Sequence, residues 1–311
     1  MDRRPVRLRA AAAAGLAVAL ATAAGAQVFR GGTDLVLLNV TVQDTLGRLV
    51  PDLAREDFQV FEDGVLQTVQ NFSREMEPIA LSILIDTSAS MDRKLATAQE
   101  AAIGFLRRLT PHDLAMIIDF DAQARIRQSF TSDRVALESA IRSTRAGGPT
   151  ALYNAIYTAV NELRVARAQA ADDDPVRRQA IVVLSDGEDT NSLIDDVAVL
   201  DALQRSEVAL YAVGLRATAG KPEDRSYQRA EAILLRMARQ TGGRAYFISQ
   251  IDELRGVYAQ IADELASQYT IGFVSTNTAR DGAWRAIQVV MKPANTVARA
   301  RAGYFAPRAR E

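Results

Sequence analysis

Ile79-Ala-Leu-Ser-Ile-Leu-Ile85 runs straight into Asp86-Thr-Ser-Ala-Ser90. A short apolar run closed by polar residues reads as a strand buried on both faces. A second run, Ala180-Ile-Val-Val-Leu184, ends the same way in Ser185-Asp186-Gly187. Working outward, the pattern predicts strands over 79–85, 114–120, 180–185, 208–214 and 244–248. It predicts helices over 91–109, 133–143, 151–169, 196–205, 225–240 and 251–266. Strands alternating with helices argue for an α/β fold with a doubly wound, mostly parallel sheet, helices on both faces.

Three segments of this region carry chemistry. Asp86-Thr-Ser-Ala-Ser90 follows the first apolar run and Ser185-Asp186-Gly187 the second. Gly147-Gly-Pro-Thr150 precedes the helical stretch Ala151-Leu-Tyr-Asn-Ala-Ile156. Each supplies small side chains bearing oxygen, and oxygen ligands suit Mg²⁺ or Mn²⁺. In an open α/β sheet, ligands sit outside the carboxyl ends of the strands, where Asp86 and Asp186 fall. Each segment taken alone also reads more plainly. Ser88 or Ser90 can cap a helix starting near Met91, Thr150 can cap the next helix, and Asp186-Gly187 is a turn dipeptide. Glu188 and Asp189 read as a solvated loop.

Taken together, Asp86, Ser88, Ser90, Thr150 and Asp186 resemble the metal-ion-dependent adhesion site of the von Willebrand factor type A (VWA) family. The resemblance covers about residues 78–267 and implies a Rossmann-like fold, with Arg125 to Phe130 as an antiparallel edge strand. It implies that Ser88, Ser90 and Thr150 ligate a divalent ion, with Asp86 and Asp186 acting directly or through water. It further implies that an Asp or Glu of a partner protein completes the ion's shell. Some family members couple capture to a shift of the last helix, here 251–266.

Flanking this region the pattern changes to strands. Val36, Leu38, Val40 and Val42 share one face before a turn at Asp44-Thr-Leu-Gly47. Phe58-Gln-Val-Phe61 and Val65-Leu-Gln-Thr-Val69 are joined through Glu62-Asp63-Gly64, a strong hairpin signal. After residue 267, Tyr269, Ile271 and Phe273 alternate, as do Ile287, Val289 and Met291, and then Ala298, Ala300 and Ala302. Neither flank alone buries an apolar face comfortably. The expectation is that segments 27–77 and 268–311 pair into one smaller β-sandwich-like domain, with the α/β domain 78–267 inserted in it. The stretch Phe58-Gln-Val-Phe-Glu-Asp-Gly64 ahead of the metal motif also resembles exported bacterial VWA-related proteins.

Residues 1–26 read as a signal peptide: Arg3, Arg4, Arg7 and Arg9, an Ala-rich stretch from Ala10 to Ala24, and Ala24-Gly25-Ala26 as a cleavage site. Loss of that segment takes the net charge from −1 to −4 by removing four Arg and one Asp. An exported protein, periplasmic or secreted, with no stable membrane span after cleavage is the expectation. Mild acidity without a basic patch or stacking aromatics argues against nucleic acid. With no cysteine in the chain, disulfides and a lipid-modified cysteine are excluded.

The enzyme alternative is a metal-assisted hydrolase, which needs a positioned acid or base. His112 is the sole histidine and reads as a loop residue, and neither Gly-x-Ser-x-Gly nor a phosphate-binding P-loop occurs. A metal-free structural scaffold is the other alternative. The sequence favours a non-enzymatic, metal-dependent protein–protein interaction module of the bacterial cell envelope, serving adhesion or assembly. Its ion is Mg²⁺ or Mn²⁺ and its partner an unidentified protein presenting Asp or Glu.

Overall fold

Alternation makes the first strand of the computed structural model, which describes residues 35–171, 176–185, 189–215 and 225–309. In β1 (Leu35–Asp44) Val36, Leu38, Val40 and Val42 all point inward and are buried. A hairpin follows, β2 (Phe58–Glu62) and β3 (Val65–Gln67). Its two turn residues, Asp63 and Gly64, have φ of 49° and 81°, as a type I′ turn requires. The expected strand Val65 to Val69 is broken at Thr68. β3 stops at Gln67, and β4 (Val69–Ser73) pairs in a different sheet. Gln67 is buried, and its amide exchanges hydrogen bonds with Thr276, which fixes the end of β3.

The central layer is a six-stranded sheet. β5 (Ile79–Asp86), β6 (Leu114–Phe120), β8 (Arg178–Ser185), β9 (Ala209–Leu215) and β10 (Ala245–Ile248) are parallel. β7 (Ala124–Thr131) closes one edge antiparallel, and the order is β10-β9-β8-β5-β6-β7. Every residue of β5 is buried because both faces are covered. Leu81, Ile83 and Ile85 face α1 (Leu95–Leu106), α2 (Arg134–Ser143) and α6 (Leu254–Ala266). Ala80 and Leu84 face α3 (Leu152–Gln169), α4 (Asp196–Ser206) and α5 (Arg225–Gln240). Burying a Leu or Ile fully is worth about 1.5–3 kcal/mol, so this double core dominates the layer's stability. α1 begins at Leu95 rather than near residue 91, because Ala89–Met91 forms a tight 3-10 turn first.

The flanking strands meet in space. β11 (Tyr269–Val274) pairs antiparallel with β1, Leu38 opposite Ile271, and on its other side with β4. β12 (Trp284–Met291) pairs with β2, β13 (Thr296–Arg299) with β1, and β14 (Gly303–Phe305) with β12. Two four-stranded sheets result, β13-β1-β11-β4 and β14-β12-β2-β3. Their inner faces share one core, with Leu38, Val40, Ile271 and Phe273 from one sheet and Phe58, Val60 and Ile287 from the other. Phe58, Phe72 and Tyr269 cluster there with ring centres 5.1–5.8 Å apart, Phe72 stacked on Tyr269 and Phe58 tilted against both. Glu62 is buried in this sandwich. It pairs with Arg285 at 3.5 Å and accepts from the Tyr304 hydroxyl at 2.9 Å and the Ser275 hydroxyl at 2.6 Å. The stretch Phe58-Gln-Val-Phe-Glu-Asp-Gly64 is thereby accounted for physically. Phe58 and Val60 fill the core, Glu62 neutralises Arg285, and Asp63-Gly64 makes the turn.

The sandwich is joined to the α/β layer by a sealed polar cluster. Glu264 of α6 is 1% exposed, accepts from the Tyr211 hydroxyl of β9 at 2.6 Å, and pairs with Arg299 of β13. Gln268 donates to Tyr211 at 3.2 Å and to Thr41 of β1 at 3.3 Å. Burial first, and the Glu264 charge second, push the Tyr211 phenol well above its usual pKa, so it stays a donor.

Candidate metal centre

β5 and β8 lie side by side, but the chain leaves them in opposite directions, β5 toward β6 and β8 toward β9. Such a reversal opens a crevice at the carboxyl ends of the two strands. Asp86 is the last residue of β5 and Ser185 the last of β8. The Ser185 hydroxyl donates across the crevice to Asp86 Oδ2 at 2.6 Å, and the Ser88 backbone N–H donates to Asp86 Oδ1 at 2.8 Å. Both bonds fix the orientation of a carboxylate that is 0% exposed.

The loops flanking the crevice are stitched together by their backbones. Gly147 N–H donates to Thr87 carbonyl at 2.7 Å, and Ala89 N–H to Gly148 carbonyl at 2.9 Å. Thr150 carbonyl accepts from the N–H groups of Thr190 and Asn191, and Thr150 N–H donates to the Thr190 hydroxyl at 3.0 Å. Gly148 has φ of +84°, and a Cβ there would stand 3.5 Å from Asp121, so the bend favours glycine. The segments around Asp86, Gly147 and Ser185 are therefore neighbours at one edge. Asp186, together with Gly187 and Glu188, lies outside the described residues, as does the segment 1–26.

Neither plain reading of the hydroxyls holds. Ser88 sits at the cap position of the turn Ala89–Met91, but its side chain makes no capping bond. Its Oγ instead lies 3.0 Å from Ser90 Oγ. The cap position of α3 belongs to Ala151, one residue past Thr150. Asp189, expected as a solvated loop residue, does the capping from across the crevice. It accepts from Tyr153 N–H at 3.2 Å and from the Ser192 hydroxyl at 2.5 Å, while Ser192 Oγ accepts from Asn154 N–H. Burial, then the Asp189 charge, push the Tyr153 phenol up to about 12.

A pair of carboxylates lies beside the crevice, outside the residues that the sequence singles out. Asp119, buried on β6, binds Arg127 at 2.6 Å and Arg125 at 3.3 Å. Arg125 also grips Asp121 through two bonds, at 2.9 and 2.6 Å, and holds its carboxyl below the ordinary range. Asp121 in turn accepts Ala151 N–H on its carbonyl at 2.7 Å, which positions the Thr150 loop. The sequence signal is present: charges alternate with apolar residues along Asp119-Phe-Asp-Ala-Gln-Ala-Arg125-Ile-Arg127. His112 is exposed and precedes β6, at the opposite end of the sheet from the crevice.

Residues 81–188 match the family model described as the von Willebrand factor type A domain. This part of the chain is a VWA domain. Curated relatives include a UPF0353 protein of Mycolicibacterium paratuberculosis (strain ATCC BAA-968 / K-10), 26% identical over 216 residues, covering 65% of this chain and 64% of the relative. The UPF0353 protein of Mycobacterium avium is 27% identical over 218 residues, 65% of each. The chain thus spans a little under two thirds of these relatives. Among solved structures, a von Willebrand factor type A protein from Catenulispora acidiphila superposes with a TM-score of 0.52 at 15% identity. The overlap covers 82% of this chain and 74% of that one, a likeness of fold.

The donor set fits a hard cation. Among the described residues no three His, Cys, Asp or Glu side chains gather as a metal site. What gathers is Asp86 with hydroxyls, the oxygen chemistry that Mg²⁺ and Mn²⁺ accept.

Proposed function

We propose that this VWA domain holds a divalent cation at the β5/β8 crevice and uses it to bind a carboxylate of a partner protein. The observation that carries the reading is the Ser88–Ser90 hydroxyl pair, 3.0 Å apart, with the Ser88 side chain making no capping bond. Two adjacent ligands of an octahedral ion with 2.0–2.1 Å bonds stand about 3.0 Å apart. Ser88, Ser90 and Thr150 would hold the ion directly, while Asp86 and Asp186 balance its charge. The bound ion would supply a Lewis-acidic position for an incoming Asp or Glu. The stitched backbone loops keep the hydroxyls in place without a ligand, which lowers the ordering cost of capture.

The protein is then a binding module rather than an enzyme, because His112 stands at the far end of the sheet from the crevice. We place it at the bacterial cell envelope, periplasmic or secreted, on the strength of the Arg-then-Ala pattern of residues 1–26. Among the described residues no helix is long and apolar enough to cross a membrane. Mg²⁺ and Mn²⁺ titrations followed by calorimetry test the site in the wild type, Ser88→Ala and Thr150→Ala. Envelope-extract capture in metal and in chelator then tests the partner. Saturable metal binding lost in both variants, with capture that needs metal, is the expected result. Equal metal binding in all three proteins sinks the reading.

A further inference from the structure

The opposite edge of the parallel sheet holds a second polar concentration, of opposite sign. At the amino ends of β8 and β9, where the α/β layer meets the sandwich, lies a cleft of about 90 Å³. Arg167, Arg177, Arg178 and Arg301 line it, with Glu77 and Glu207. Among the described lining residues, four guanidinium groups face two carboxylates, an excess of two positive charges. Glu207 is already engaged, paired with Arg301 and 3.9 Å from Arg167.

Arg177, just before β8, and Arg178, its first residue, are less well matched. Arg178 is 7% exposed. Its Nη1 donates to Gln268 Oε1 at 3.0 Å and its Nη2 to the Glu77 carbonyl at 2.8 Å. Its Nε is buried without a partner, and so are Arg177 Nε and Arg301 Nε. Among the described residues, no carboxylate lies within ion-pairing distance of Arg177 or Arg178. Desolvation pulls the Arg178 pKa down, as expected of a cation whose nearest counter-charge, Glu77, acts only through space. A buried guanidinium with an unused N–H is costly unless an acceptor arrives.

The cleft is walled from both sides. Arg167 and Arg178 come from the α/β layer, Asn39 and Arg301 from the sandwich. Gly242, with φ of +80°, lets the chain at Arg301 approach so closely that a Cβ would meet Arg301 N at 2.7 Å. The volume holds a few waters, or one small ion. Planar guanidinium groups match tetrahedral oxyanions, whose several oxygens can satisfy several N–H donors at once. A monocarboxylate supplies only one of the two charges required.

We propose that this seam cleft binds a small, doubly charged tetrahedral oxyanion, inorganic phosphate or sulfate, held by Arg177, Arg178 and Arg301. The anion fastens the sandwich to the α/β layer. A ligand bound only by the folded state stabilises it by mass action, so binding is visible as a melting shift. Phosphate at pH 8 is titrated into the full chain by calorimetry, and melting midpoints are recorded beside chloride of equal ionic strength. Expected is saturable phosphate binding with a raised midpoint, absent in chloride. Arg177→Gln, which alters a half-buried wall residue, should weaken binding at least about tenfold, the effect of one charge-assisted hydrogen bond. Arg55→Gln, an exposed arginine remote from the cleft, should leave it intact. The absence of saturable binding by wild type up to about 10 mM overturns the proposal, since no useful site of this kind is weaker. So does equal binding by wild type and Arg177→Gln. Binding that appears only after Asp172, Asp173 and Asp174 are all changed to Asn overturns it as well, because the chain would then be neutralising its own arginines.

Discussion

Two kinds of polar cluster in this molecule are built on opposite plans. Around Glu264, at the junction of sandwich and α/β layer, a carboxylate, a guanidinium, a phenol and an amide meet in the interior and bond to one another, leaving only Arg299 Nε without a partner. Around Glu62 the same plan recurs with Arg285, Tyr304 and Ser275. At the β5/β8 crevice the hydroxyls of Ser88 and Ser90 lie 3.0 Å apart, Ser88 buried and Ser90 exposed. Sealed clusters of matched charge dictate how pieces of a fold seat against each other. A cluster that reaches the surface through one exposed hydroxyl can meet something arriving from outside.

The sharpest way to break this contrast is to unbalance a sealed cluster. Arg285→Met leaves Glu62 buried without its cation and should cost about 3–5 kcal/mol of unfolding free energy, read from a urea melt. A loss below about 1 kcal/mol would mean that Tyr304 and Ser275 suffice for Glu62. The open cluster should respond differently. Asp86→Ala should lower Mg²⁺ or Mn²⁺ affinity by at least about 10–100-fold, the effect seen when even outer groups of a metal site are lost. An unchanged calorimetric Kd would remove Asp86 from the site. Next in size is Gly148→Ala, which forces a side chain into a left-handed bend and should cost about 1–2 kcal/mol, with weaker metal binding in proportion. A variant as stable as wild type would show that the Gly147–Gly148 loop is not held as described.

The smallest effect concerns acid. Asp121's carboxyl is depressed below its usual 3.8 by the Arg125 hydrogen bonds. A depressed carboxyl contributes stability above its unfolded pKa, and that contribution is lost as pH falls through the folded value. Wild type should therefore exceed Asp121→Asn in stability by no more than about 1 kcal/mol at pH 7, since the pair is partly solvated. The gap should narrow below about pH 4. A gap that widens in acid would contradict the assignment.

Much of the α/β layer was legible because burial on both faces leaves an uninterrupted apolar run, as in Ile79 to Ile85. Asp63-Gly64 was legible because only certain residues accept two positive φ angles in succession. The strand change at Thr68 was not, since it depends on Gln67 reaching Thr276 across more than two hundred residues of chain. Of the candidate site, the oxygen-bearing residues were readable from their places after each strand. The backbone bonds joining Thr87, Gly147 and Thr190 were not, for every residue carries the same N–H and carbonyl groups. Nor was the arginine seam, whose members at 167, 177, 178 and 301 share no local spacing.

The pairing of β4 with β11 has one more consequence. Ser73, the last residue of β4, lies opposite Thr270, near the start of β11. The two strands are thus placed as the arms of an ordinary hairpin, and everything from residue 74 to 268 occupies the position of its loop. In architectural terms the α/β layer is an oversized turn. A chain that replaced it with a few turn residues would still have two antiparallel arms in register, ready to close the sheet.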